Sequence, residues 1–222
     1  MIRSRHALVV LGVVMMGGAW TFAGAGAGTT QVSGPISIAA GEHAGDLSTV
    51  NGSIRVGENA SVGSAHTVNG SVSLASHASA AQVRTVNGSV ELEDAARVTG
   101  SVHSVNGRLS LAKGSEVTGD LRNVNGMIRI ASAHVGGGID TANGGIDLEA
   151  AHVDGGIHVQ KNSESSFESS TPPRVVIGPG SVVKGTLNFE RPVRLYVSER
   201  ATIGAVEGAT PIKFSGDSPS GD

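Results

Sequence analysis

"TVNGSV" at residues 67–72 returns unchanged at 85–90, and looser copies read "TVNGSI" at 49–54, "SVNGRL" at 104–109, "NVNGMI" at 123–128 and "TANGGI" at 141–146. The asparagines of these phrases are Asn51, Asn69, Asn87, Asn106, Asn125 and Asn143, so the period is 18 or 19 residues. Asn-Gly by itself marks a two-residue hairpin. A row of hairpins would alternate strand direction, yet every copy enters and leaves its turn with the same pattern. A fixed period of this length instead marks a stacked architecture. The expectation is an all-β, single-domain parallel β-solenoid with one rung per repeat.

Apolar residues fall into columns at that period. One column is Val50, Val68, Val86, Val105, Val124 and Ala142. Two more, Ile54, Val72, Val90, Leu109, Ile128, Ile146 and Val56, Leu74, Leu92, Leu111, Ile130, Leu148, are two residues apart and share one strand face. Between them Arg55, Ser73, Glu91, Ser110, Arg129 and Asp147 face solvent. A column running from Leu47 and Ala65 to Ile139 and Ile157 lines a second side, and Val62, Val98, Val117, Val135 and Val153 mark a third. Three apolar segments per rung predict a triangular section of about nine rungs. The hexad Val50, Val56, Val62, Val68, Leu74 slips from Val98 onward, and parallel crossovers are right-handed by default, which predicts a right-handed coil. In the repeated phrase, Gly is expected to supply unusual backbone angles, with Asn the next most tolerant residue. The six asparagines are expected to hydrogen-bond to one another up the column.

The ends read differently. Residues 1–27 have basic Arg3 and Arg5, an apolar run to about Trp20, and small residues around Ala23, Ala25 and Ala27, the layout of a secretory signal peptide. No span is expected in the mature chain. The chain has no cysteine, which excludes disulfides and a lipid-modified cleavage site. The solenoid is assigned to 28–215, interrupted by the Ser-rich loop "KNSESSFESSTPP" at 161–173, with a disordered polar tail at 216–222. A net charge of −3 gives no reason to expect nucleic acid.

Chemistry is sparse. No nucleophile elbow, phosphate loop or dinucleotide fingerprint is present. Glu91 and Asp147 share a face but lie three rungs apart, roughly 14 Å by the strand spacing and too far for a glycosidase pair. His134 and His152 are 18 apart and should stack, but no third metal ligand accompanies them. Neither catalytic residue, metal nor cofactor is expected. The feature that stands out is His66, Arg84, His103 and Arg122, at equivalent positions of four successive rungs, with Ser48, Asp140 and His158 in the same column.

The Val-Asn-Gly-Ser-Val phrases behind a signal peptide resemble bacterial secreted β-strand-repeat proteins of the adhesin-like kind. The segment "VVIGPGSVVKGTL" at 175–187 is similar to the coils of bactofilins, polymer-forming β-helices. The resemblance implies a non-enzymatic structural or scaffold protein, exported to the periplasm or cell surface. Its expected partners are itself, end to end, or another envelope protein by strand addition. The other expectation is an adhesin-like module that holds an anionic envelope or surface glycan on the His/Arg column.

Overall fold

The computed structural model describes residues 12–16, 19–23, 28–161 and 172–219. Its backbone is a single parallel β-solenoid. One face is a sheet of ten short strands, Ile36–Ile38, Ile54–Val56, Val72–Leu74, Val90–Leu92, Leu109–Leu111, Ile128–Ala131, Ile146–Glu149, Arg174–Ile177, Arg194–Ser198 and Ile212–Phe214. Ten strands make a rod roughly 43 Å long at the parallel spacing, one rung more than the sequence suggested. The extra rung is the last, which does not repeat the phrase.

The other two faces belong to one sheet. They run as a single nine-residue strand in Ser61–Asn69 and Ser79–Asn87, and split where the period lengthens, as in Arg97–Val98 with Val102–Asn106. Register is kept at equivalent residues throughout, for example Val72 to Val90 to Leu109 and Val83 to Val102 to Leu121. This register puts the expected columns inside: Ile54, Val90, Leu92, Leu111, Leu121, Val135 and Ile157 are all at most 1% exposed. Burial of a whole aliphatic side chain contributes about 1.5–3 kcal/mol, and here it recurs several times per rung.

One expected column is not in the core. Val50, Val105 and Val124 are 38–41% exposed, and Val68, Val86 and Ala142 are half-buried. Strand alternation is the reason: with Leu47 inward, Thr49 is inward too and Val50 must point out. The inward positions are taken by Thr49, Thr67, Thr85, Ser104, Asn123 and Thr141, all buried. Their side chains satisfy backbone groups at the corner. Thr67 Oγ1 donates to the Gly52 carbonyl at 2.8 Å, Thr85 Oγ1 to Gly70 at 2.9 Å, and Asn123 Nδ2 to Gly107 at 3.0 Å.

The Asn column forms as expected. Each Nδ2 donates to the Oδ1 one rung below, from Asn69 to Asn51 through Asn143 to Asn125, at 2.8–2.9 Å. It runs along a wet outer corner, and its lower members are exposed. The glycines beside it are needed for a different reason than expected. Gly52, Gly70, Gly88 and Gly107 do not have positive φ; a Cβ on any of them would lie 1.9–2.0 Å from the glycine carbonyl of the rung below. Close stacking, not backbone freedom, selects glycine there. The left-handed residues stack at another corner: Gly41, Asn59, His77, Ala95, Gly114, Ser132, Ala150 and Gly180, with φ of 48° to 73°.

The two ends differ. Part of the expected leader lies outside the described residues. Within it, Gly12–Met16 pairs antiparallel with Ala19–Ala23, and the first of these strands lies against Ile36–Ile38. Ile36 and Ile38 are accordingly buried although they sit in a terminal rung. At the other end Lys213 stands opposite Val197, in a core column, with Pro211 two residues before it. A proline and a charge in place of core residues blunt the edge against further strands. Of the loop expected at 161–173, residues 162–171 lie outside the described residues. Of the tail expected to be disordered from 216, Asp217 Oδ1 accepts from Arg200 Nη2 at 2.5 Å on the surface; residues 220–222 lie outside the described set.

Candidate binding groove

The outward residues of the strand that carries each Val-Asn-Gly phrase build the candidate site. Alternation sends position 48 and its equivalents outward, and parallel register then stacks Ser48, His66, Arg84, His103, Arg122, Asp140 and His158 in one column. All four residues singled out in the sequence, His66, Arg84, His103 and Arg122, are therefore brought together on successive rungs. Two residues further along each strand is the outward valine column. The charged column and the apolar column run side by side along the rod.

Between Arg84 and Gln160 they form a groove of about 470 Å³. Val86, Val105, Val124 and Ala142 lie along its floor, and Arg84, His103, Arg122 and Asp140 line it. The charged residues are not equivalent. Arg122 is engaged on both sides, by Asp120 Oδ2 at 3.1 Å and by Asp140 Oδ2 at 3.2 Å. Arg84 has no acidic partner among the described residues, and is exposed. His103 lies between the two guanidiniums; burial, then Arg84 and Arg122, push its pKa down, against weaker pulls from Asp120 and Asp140. At neutral pH His103 is uncharged and offers a ring N–H or lone pair.

Beyond Arg122 the sign reverses. His158 bridges Asp140 at 3.4 Å and Glu190 at 3.0 Å. Glu190 is held below the usual carboxylate range by the Lys161 N–H and then by His158. Arg191 Nη1 closes the top of the Asn column, donating to Asn143 Oδ1 at 2.6 Å and to the Ala142 carbonyl at 3.1 Å. It supplies the donor a seventh asparagine would have given. Nothing in the repeat pattern announces this contact, since Arg191 is 48 residues away in sequence. The groove thus has a cationic lower half around Arg84 and an acidic upper end.

The other charged cluster is self-satisfied. His134 and His152 do lie on adjacent rungs, with ring centroids 5.5 Å apart and the ring planes tilted by 60°. Asp154 accepts from His134 Nε2 at 2.9 Å, meets His152 at 3.3 Å and is 2.7 Å from Lys184 Nζ. Lys184 and then His134 hold its carboxyl down at about 2. Arg97 and Glu116 pair below them. Among the described residues no group of three His, Cys, Asp or Glu side chains is arranged to hold a metal ion, and no helix is long and apolar enough to cross a membrane.

The chain matches no family model, no curated protein and no solved structure.

Proposed function

We propose that this chain is a non-enzymatic rod, exported to the bacterial envelope or surface, that holds a linear anionic polymer along its groove. The observation that carries the reading is the juxtaposition of an unpaired Arg84 and neutral His103 with an outward valine floor. A polyuronate or similar acidic glycan has both features to offer: carboxylates for the guanidinium, and the apolar faces of its sugar rings for the valines. The groove follows the rod axis, so successive rungs meet the polymer about every 4.8 Å, and Arg84 and Arg122 lie roughly 9.6 Å apart.

The test is binding of a linear polyuronate, with a neutral glucan as control. Arg84→Glu should weaken polyuronate binding at least about tenfold, as expected for reversing a groove cation that has no acidic partner among the described residues. Added salt should weaken it as well. Binding should strengthen as pH falls below the ordinary histidine range, because an anion beside His103 raises a pKa that the free protein holds down. Binding unchanged by Arg84→Glu would remove the proposal.

A second reading, self-association through a terminal rung, is supported by the first rung. Ile36 and Ile38 are covered where the 12–23 hairpin lies against them. Removal of a leader at residue 27 would take that hairpin away and leave a strand edge for a second copy or another envelope protein. Light scattering on the chain with and without its leader separates the cases. A monomer in both forms, at high concentration, ends this reading.

A further inference from the structure

Six Asn-Gly pairs with nearly the same neighbours are held in nearly the same corner, and one of them is different. In Gly52, Gly70, Gly88 and Gly107 the backbone N–H donates to the asparagine carbonyl of the next rung, at 2.9–3.1 Å. Gly144 is buried, and its N–H donates to Thr141 Oγ1 at 3.1 Å. Gly126 is exposed, and its N–H has no acceptor among the described residues. It is also the one phrase glycine with positive φ, 122°.

The same rung differs in its inward residue as well. Asn123 occupies the inward position that Thr holds in most other rungs, and its longer side chain reaches the Gly107 carbonyl through Nδ2. The Asn123 Nδ2 lies 3.4 Å from the place a Cβ on Gly126 would take. Its Oδ1 is buried without a hydrogen-bond partner. One rung further on, Asn143 N still donates to the Val124 carbonyl, but the return bond from the Gly126 N–H to the Asn143 carbonyl, which the lower rungs all make, is missing.

We propose that Asn125 is the site of spontaneous deamidation in the folded rod, and that the other five Asn-Gly pairs are protected. The reaction needs the glycine amide nitrogen as nucleophile. That nitrogen gives up its proton and bonds to Asn125 Cγ; the Cγ–Nδ2 bond breaks and the side-chain nitrogen leaves as ammonia, taking up a proton. The product is a succinimide. Water then opens either ring carbonyl, giving aspartate or isoaspartate. An N–H that is donated to a neighbouring rung must first break that bond before losing its proton, whereas the Gly126 N–H has no such bond to break among the described residues. The factor is about tenfold, the rate equivalent of one lost hydrogen bond.

The modification also reports on the column. Asn125 donates to Asn106 at 2.8 Å and accepts from Asn143 at 2.9 Å. A carboxylate there can still accept from Asn143, but it has nothing to donate to Asn106 Oδ1, so the column is cut between these two rungs.

The experiment is incubation of the folded full-length chain in mildly alkaline buffer, with peptide mapping by mass spectrometry and separation of isoaspartyl peptides. Asn125 should convert about tenfold faster than any of the other five. In urea all six should convert at comparable rates, because the local sequences are alike. Asn125→Gln should abolish the fast conversion and leave the slow ones unchanged. The main competitor is Asn51, at the lower end of the column, which donates to no other asparagine but whose glycine N–H is engaged. Conversion of Asn51 first, even conversion of all six in the folded rod, or a preference for Asn125 that persists in urea would each overturn the proposal.

Discussion

Exchanging the characters of Thr85 and Val86 tests which of them is the inward residue. Thr85 is 1% exposed and its Oγ1 donates to the Gly70 carbonyl at 2.9 Å. Thr85→Val keeps the shape and removes the donor. Leaving a buried acceptor unpaired costs about 1–3 kcal/mol, and the half-buried Gly70 corner belongs at the lower end of that range. The added methyl offsets about 0.8 kcal/mol at most. The net expectation is a small loss, between about 0.2 and 1 kcal/mol. Val86 points outward over the groove floor, so Val86→Asp should change stability by no more than about 0.5 kcal/mol. If Val86 were in the core instead, the same aspartate would be a buried, unpaired charge worth about 3–5 kcal/mol. Urea unfolding followed by circular dichroism measures both, provided the slope with denaturant stays constant. A severe loss for Val86→Asp together with a neutral Thr85→Val would refute the assignment of the two columns.

Three further outcomes follow from backbone and charge. Gly114 has φ of 72° with no atom nearer than 3.8 Å to an added Cβ, so Gly114→Ala should cost about 1 kcal/mol from conformation alone; Ala95→Gly, relieving φ of 56° one rung away, should cost little or stabilise in the same unfolding assay. Asp154 is depressed to about 2 by Lys184 and then His134, so its contribution is present above the ordinary carboxylate pKa and is lost as pH falls toward 2; Asp154→Asn should flatten the acid limb of the stability–pH curve, read from unfolding midpoints.

The period carried most of the architecture, because a rung that must close on itself every 18 or 19 residues leaves few alternatives to a parallel coil. Ile54 with Val56, and Leu109 with Leu111, show inward residues by simple alternation. The same rule extended from Leu47 would have placed Thr49 inside and Val50 outside; hydrophobicity hid this, since threonine in the core is explained only by the carbonyl it serves. The asparagine column was legible as a column, but the glycine beside it was read for its dihedral freedom when the limiting quantity is the distance to the rung below. The left-handed corner holds glycine only at Gly41, Gly114 and Gly180 and otherwise Asn59, His77, Ala95, Ser132 and Ala150, so no repeated residue type announces it in the sequence. In the groove, His66, Arg84, His103 and Arg122 were aligned by register alone. Their inequality depends on Asp120, which the column does not contain, and on spatial proximity of Glu190 and Arg191 that no period encodes.

Ile128 pairs with Ile146 across 18 residues, whereas Ile146 pairs with Val175 across 29 and His152 with Val182 across 30. The coil therefore absorbs about eleven extra residues in one turn and resumes the same register on both sheets. Loop-closure entropy grows only with the logarithm of length, so lengthening this one turn costs little while the strands on either side still find each other. The corner after Lys161 is accordingly a graft point. A peptide epitope or a small domain with adjacent termini spliced between Lys161 and Pro172 would be carried on a stiff support, next to the acidic end of the groove, and a string of rods differing only in that insert would display different cargo from one unchanged scaffold.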